Sequence, residues 1–166
     1  GAFSNLSSLK SITLPFVGGK RGGQAEKKLF GYIFGTASSA SLTSCTQTYN
    51  GGDSGNTVTY YVPTSLETVV ITGEIKKETE TVKYYIEDEK QIEVTETDKG
   101  EGKDIITVEV DSYANNAVMP YAFSGITTIK NVEINGSEIF EGTFKGCTSL
   151  NGVTTKAESL VIGKSA

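Results

Sequence analysis

Apolar positions recur along this chain in a block longer than any single strand or turn. Residues 2–14 run Ala2-Phe3-Ser4-Asn5-Leu6-Ser7-Ser8-Leu9-Lys10-Ser11-Ile12-Thr13-Leu14. Residues 122–134 run Ala122-Phe123-Ser124-Gly125-Ile126-Thr127-Thr128-Ile129-Lys130-Asn131-Val132-Glu133-Ile134, and nearly every position keeps its class. A third copy starts at Thr143 with Phe144, Lys145, Gly146 and Cys147, followed by Leu150 and Val153; a half copy starts at Leu66, followed by Val69 and Ile71. The shared pattern is [AT]-F-x-x-Φ-x-x-L-x-x-Φ-x-Φ, with Φ apolar. Its last part has period two, which predicts a short strand with one buried face. Its start predicts a tight or helical turn whose Phe plugs the core.

Such a unit cannot bury its apolar side alone, and stacking the next unit on it supplies the cover. Three ladders are therefore expected: Phe3, Phe123 and Phe144; Leu9, Leu66, Ile129 and Leu150; Ile12, Val69, Val132 and Val153. A lead-in precedes the rings, with Val118 and Ile139 each five residues before a Phe. Ile162-Gly163-Lys164-Ser165-Ala166 reproduces that lead-in, and Gly1-Ala2-Phe3 starts inside a unit. The expectation is a piece of a longer array.

Two stretches break the pattern, at 16–64 and 74–116, and leave repeat parts at 1–15, 65–73 and 117–166. The first stretch holds a Gly-rich run at 18–23, and then strands are expected at about 29–34, 42–49 and 57–62. Asn50-Gly51 is a hairpin signal within it. The second is charged, yet 81–86, 91–95 and 104–110 alternate apolar with polar residues. That predicts a three-stranded β-meander with one wet face and turns at 87–90 and 98–102.

The motif A-F-x-x-C-x-x-L-x-x-I-x-[IL]-P with its I-x-x-x lead-in resembles that of the BspA-type bacterial leucine-rich-repeat proteins. Ala2 to Pro15, Ala122 to Ile134 and Thr143 to Val153 carry it, and Cys147 stands at the family's Cys position, where Leu6 and Ile126 stand elsewhere. The 21 residues from Phe123 to Phe144 lie within the repeat length of roughly 20–29 residues. The match covers roughly a third to a half of the chain and leaves out 16–64 and 74–116. The resemblance implies one mainly β domain over residues 1–166. It would be a short right-handed leucine-rich-repeat solenoid of parallel strands, interrupted by two antiparallel β insertions. It also implies a cell-surface or secreted location and binding to host proteins or other cells. The family has no catalytic residues to carry over.

Composition narrows the chemistry. The 166 residues contain no His and no Trp, only two Cys, and a formal net charge of −5. Lack of His removes the commonest general base and metal ligand. The acidic balance argues against a nucleic-acid partner, which needs a basic face. No apolar run approaches the ~20 residues of a membrane span, and residues 1–4 do not open like a signal peptide. Gly18-Gly19-Lys20-Arg21-Gly22-Gly23 lacks phosphate-loop spacing and reads as a loop. The carboxylates of the second insertion lack a Ca²⁺-loop spacing and read as solvated turn charge. Ser7-Ser8-Leu9-Lys10 has a Ser–Lys spacing, but it falls inside the repeat. No catalytic, cofactor or metal residue is therefore assigned. Cys147 is expected buried and inert and Cys45 more accessible, with their pairing left open.

The candidate binding surface is aromatic: Tyr32, Phe34, Tyr49, Tyr60 and Tyr61 of the first insertion. The competing reading is that these rings pack the insertion onto the repeats. Three roles follow: recognition or adhesion through a protein or glycan ligand, a structural spacer, or a carbohydrate-binding or hydrolytic module using the aromatic first insertion. A concave face lined by exposed Tyr and Phe would favour recognition, and a uniformly polar face a spacer.

Overall fold

The computed structural model describes residues 1–4, 6–50 and 56–166. The chain is mostly β and forms two compact units, one made of Gly1–Lys76 with Ala114–Ala166 and the other of Lys77–Tyr113. In chain order the strands are β1 Ser11–Leu14, β2 Leu42–Thr48, β3 Thr57–Pro63, β4 Thr68–Ile75, β5 Glu78–Glu87, β6 Lys90–Glu93, β7 Ile106–Ser112, β8 Asn131–Gly136, β9 Glu138–Ile139, β10 Gly152–Thr155 and β11 Val161–Ile162. Two single-turn 3₁₀ helices, Ala25–Lys28 and Phe30–Ile33, precede β2.

The first unit is organised by a four-stranded parallel sheet of order β1-β4-β8-β10. Its register matches the repeat: Ile12 pairs with Val69, Val69 with Val132, and Val132 with Val153. At its entry the Lys10 carbonyl accepts from the amides of Glu67 and Thr68. The Glu67 carbonyl does the same for Lys130 and Asn131, and the Lys130 carbonyl for Asn151 and Gly152. Identical sequence positions thus make identical hydrogen bonds in successive copies. Leu66 and Ile129 are fully buried between their neighbours, whereas Leu9 and Leu150, at the two sides of the sheet, are half-buried.

The aromatic ladder is continuous but not made of the three expected rings alone. Phe123 stacks on Phe144 at 5.3 Å between ring centroids and meets Phe30 at 4.9 Å on its other side. Phe30 then meets Phe34 at 5.4 Å, and Phe34 meets Phe3 at 6.3 Å. Two rings of the first insertion therefore fill the gap that the half copy at Leu66 leaves. The backbone repeats with them: the Phe3 amide donates to Ile33, the Phe30 amide to Ala122, and the Phe123 amide to Thr143. This corrects the strand expected at 29–34. Residues Phe30–Ile33 close a 3₁₀ turn because one core slot must receive Phe30, Ile33 and Phe34, which a helical turn aligns and a strand would send to opposite faces.

The lead-ins share one conformation as well. Tyr121, Gly142 and Ser165 all have positive φ, at 65°, 60° and 53°. The Tyr121 amide donates to Glu141 and the Gly142 amide to Lys164, and Ile139 pairs in parallel with Ile162 between β9 and β11. A side chain at Gly142 would run into the Tyr121 ring, which explains the glycine there.

Strands β2 and β3 form an antiparallel hairpin from Leu42↔Pro63 to Thr48↔Thr57. Its tip, expected at Asn50-Gly51, lies outside the described residues from Gly51 on. The hairpin is held by Gln47, fully buried in spite of its amide. Gln47 Nε2 donates to the carbonyls of Ala122 (3.1 Å) and Ser124 (3.0 Å), and its Oε1 accepts from the Gly31 amide at 2.6 Å. All three bonds go to backbone, so the side chain satisfies groups that would otherwise be stranded in the core. Asn116 makes a similar bracket on Lys76, accepting from its amide and donating to its carbonyl.

The second unit is an antiparallel sheet of order β6-β5-β7. A meander would place the three strands in chain order; here β5 is central. The segment after the four-residue β6 turns back past Tyr85, whose hydroxyl donates to Asp98, before β7 pairs with the other edge of β5. Asp88 and Glu89, with φ of 49° and 63°, form the two-residue turn between β5 and β6. No helix of the described residues is long and apolar enough to cross a membrane.

Candidate recognition surface

The five aromatic candidates separate into two groups. Phe34 and Tyr60 are buried in the core, at 3% exposure each. Phe34 belongs to the ring stack, and Tyr60 packs on the backbone of Gly31. The Tyr60 hydroxyl is enclosed with no hydrogen-bond partner among the described residues, and burial, followed by the negative charge of Glu26, pushes its pKa up to about 12. These two rings pack the first insertion and offer nothing to a ligand. Tyr32, Tyr49 and Tyr61 are half-buried. Tyr32 lines an apolar cavity of about 350 Å³ with Phe3, Phe16 and Ile33. The Tyr49 hydroxyl donates to Asn56 Oδ1, near the end of the hairpin. Tyr61 stands on the outer face of β3.

The outer face of the parallel sheet carries Ser11, Thr13, Thr68, Val70, Asn131, Glu133 and Thr154, in the registers Ser11↔Thr68↔Asn131 and Thr13↔Val70↔Glu133↔Thr154. It contains no aromatic residue. Its charges are partly neutralised, since Glu133 sits 3.6 Å from Lys156. Beside it Lys130 pairs with Glu67 at 2.7 Å, a contact that holds the Glu67 carboxyl below its usual range, first through the hydrogen bond.

A second polar face lies on the β2–β3 hairpin. The inward positions Cys45, Gln47, Tyr60 and Val62 are buried, so the alternate residues Ser44, Thr46, Thr48, Thr57, Thr59 and Tyr61 point outward. Five of these six carry aliphatic hydroxyls and the sixth a phenol, with the Thr48 hydroxyl enclosed and without a hydrogen-bond partner among the described residues. Thr46 and Thr59, directly opposite, share a hydroxyl–hydroxyl hydrogen bond of 2.9 Å. At the far end, Thr46, Thr48 and Thr57 border a cavity of about 320 Å³ whose other wall is Gly125, Lys145 and Gly146. Gly125 and Gly146 hold the same position in successive repeats and have φ of 73° and 76°. A side chain at Gly125 would strike the Thr46 carbonyl, so this glycine is what lets the hairpin close on the repeat.

Comparison with family models, curated proteins and solved structures finds no match for this chain.

Neither Cys is an exposed nucleophile. Cys45 is buried, its sulfur 3.8 Å from Thr127 Oγ1. That differs from the expectation that it is the more accessible of the two, because the Ser/Thr-rich stretch around it is a strand with one face turned inward. Cys147 is half-buried and its thiol donates to the Phe123 carbonyl at 3.0 Å; burial pushes its pKa up to about 12. Both thiols are free. Among the described residues no group of His, Cys, Asp and Glu is placed to hold a metal ion.

Gln47, Thr57 and Lys145 were not singled out by sequence reasoning. The Lys145 signal was nevertheless visible, since aligning the copies puts Ser124-Gly125 over Lys145-Gly146. Gln47 gave none, because an amide in a run of Ser and Thr looks like any other solvated strand residue.

Proposed function

We propose that this chain is a non-catalytic recognition module, a BspA-type leucine-rich-repeat solenoid carried on a cell surface or secreted, which binds a protein or glycan ligand. The observation that carries this reading is the repeated register. Four parallel strands pair at equivalent motif positions, and the ring stack and lead-in turns repeat the same hydrogen bonds. A protein built by stacking copies offers an extended surface out of proportion to its core, and such surfaces serve binding.

The spacer reading has one observation in its favour, the outer face of the parallel sheet, which is polar and free of aromatic residues. A ligand engaging that face would meet hydroxyls and amides and no apolar anchor. Binding is therefore assigned to the first insertion, where Tyr61 and the hairpin hydroxyls are presented.

The test is a solid-phase screen of the purified chain against extracellular-matrix proteins and a glycan array. Tyr61→Ala serves as the binding control and Thr154→Ala, on the polar sheet, as the neutral one. Recognition predicts saturable binding that Tyr61→Ala weakens and Thr154→Ala leaves alone. An empty screen with folded protein would move the chain to the spacer role.

A further inference from the structure

We infer that the outer face of the β2–β3 hairpin, together with the cavity at its end, is a binding site for a short acidic oligosaccharide. Tyr61 would stack against a sugar ring, and Lys145 would take a carboxylate or sulfate. The assignment rests on the recognition reading and names the ligand class.

The face has the chemistry that a sugar chain requires. Hydroxyls both donate and accept, so Ser44, Thr46, Thr57 and Thr59 can match sugar hydroxyls of either polarity. Their methyl groups, with the phenol ring of Tyr61, meet the C–H faces of the same sugars. Tyr61 lies opposite Ser44, Thr59 opposite Thr46, and Thr57 opposite Thr48. From Tyr61 to Thr57 the strand rises about 13–14 Å, a length suited to a chain of a few sugars rather than to one.

Charge selects an acidic ligand. The protein carries −5 overall, yet among the described residues the cavity bordered by Thr46 and Thr57 is lined by no carboxylate, and the one charged residue among them is a lysine. Lys145 makes no salt bridge among the described residues, so its ammonium is available to a ligand. The cavity lies where two successive repeats place glycine at the same turn, Gly125 and Gly146, beside Lys145. An ammonium at the mouth of a small concave site, next to hydroxyls, discriminates between an acidic sugar and its neutral analogue more than it adds to total affinity.

The probes are a glucuronate-containing tetrasaccharide and the same tetrasaccharide with its carboxylates reduced to alcohols, titrated into the ¹⁵N-labelled chain and followed by amide chemical shifts. The acidic probe is expected to shift the amides of Thr46, Thr57, Gly125 and Gly146 and to bind better than the reduced probe at low salt. Lys145→Ala should weaken the acidic probe by about tenfold or more, as expected on losing a charge-assisted hydrogen bond, and leave the reduced probe unchanged. Tyr61→Ala should weaken both alike. Both variants change surface side chains, and an unchanged amide spectrum elsewhere verifies their fold. The inference is overturned if neither probe binds at millimolar concentration, if shifts fall outside the hairpin and its cavity, or if Lys145→Ala keeps the acidic preference. A matrix protein bound equally by wild type, Lys145→Ala and Tyr61→Ala, with no sugar binding, would also overturn it while leaving a recognition role at another surface.

Discussion

The repeat unit and the charged unit are written in the same local code and reach different ends. In both, apolar and polar residues alternate along short strands. In the repeat unit that alternation leads to a dry interior, where Phe30, Leu66, Phe123, Ile126 and Ile129 have no exposed surface. In the charged unit Val82, Tyr84 and Ile86 alternate just as well, yet Ile86 is 54% exposed and Ile106 and Val110 remain exposed on β7. Among the described residues Tyr85 is the one buried side chain there, folded over by the segment carrying Asp98 and Gly100. Period two says which face a residue takes, and burial further requires a second apolar surface to cover that face. Copies of the repeat supply that surface to one another. The charged unit has no copy of itself and is held by hairpin pairing, the Lys103–Glu87 and Lys77–Asp111 ion pairs, and one hydroxyl–carboxylate contact.

The largest test of this contrast is Phe123→Ala. The ring lies between Phe30 and Phe144, and its loss leaves a cavity inside a stack that cannot close on one rung. A destabilisation of about 3–5 kcal/mol is expected for such a truncation, read from urea unfolding. A loss no larger than that of a surface substitution would deny that the stack holds the unit together. Next is Gln47→Leu, which keeps the volume but strands the Gly31 amide and the Ser124 carbonyl. A cost of about 1–3 kcal/mol per unsatisfied group is expected, with accelerated hydrogen exchange at Gly31 as the local readout.

Replacing residues 77–113 by a short Gly/Ser loop should have a smaller effect. Asn116 already brackets Lys76, so the chain leaves and re-enters the repeat unit at neighbouring points. The shortened protein is expected to unfold cooperatively near the wild-type midpoint, while a 77–113 peptide alone shows little stable sheet. Collapse of the shortened protein would mean that the repeat unit depends on the charged one. The smallest expected effect is that of Tyr85→Phe. The Tyr85 hydroxyl donates to Asp98 Oδ2 at 2.8 Å and, with the Gly100 amide on Oδ1, holds the Asp98 carboxyl below its ordinary value of 3.8. A carboxyl lowered by folding contributes stability that is complete above its unfolded pKa and is lost as pH falls through the lower folded one. Carbon-detected titration should therefore show the Asp98 pKa rising toward 3.8 in Tyr85→Phe, and the acid sensitivity of β5–β7 amides weakening. An unchanged Asp98 titration would remove the contact from the account.

How much was legible follows from which interactions are copied. The pairing Ile12–Val69–Val132–Val153 and the Phe123–Phe144 stack could be read from the sequence because the motif states each position several times over. The shared lead-in was legible for the same reason, and the structure adds that Ile139 pairs with Ile162. Phe34 and Tyr60 could not be placed, since an aromatic residue in an insertion is equally able to fill a core slot or to face a ligand. Only the gap left by the half copy at Leu66 decides that Phe30 and Phe34 go inward.

By itself, the order of residues determined the repeat, the faces of the parallel strands and the aliphatic ladder partners, because period and copy number are local properties that any stacked arrangement must respect. The tertiary structure alone decided that the 29–34 segment turns instead of extending, that Gln47 ties the hairpin to Ala122 and Ser124, and that β5 lies between β6 and β7. Those outcomes turn on groups far apart in the chain competing for one place, and the winner is whichever arrangement leaves neither a void nor an unpaired backbone group. Sequence proximity carries no information about that competition.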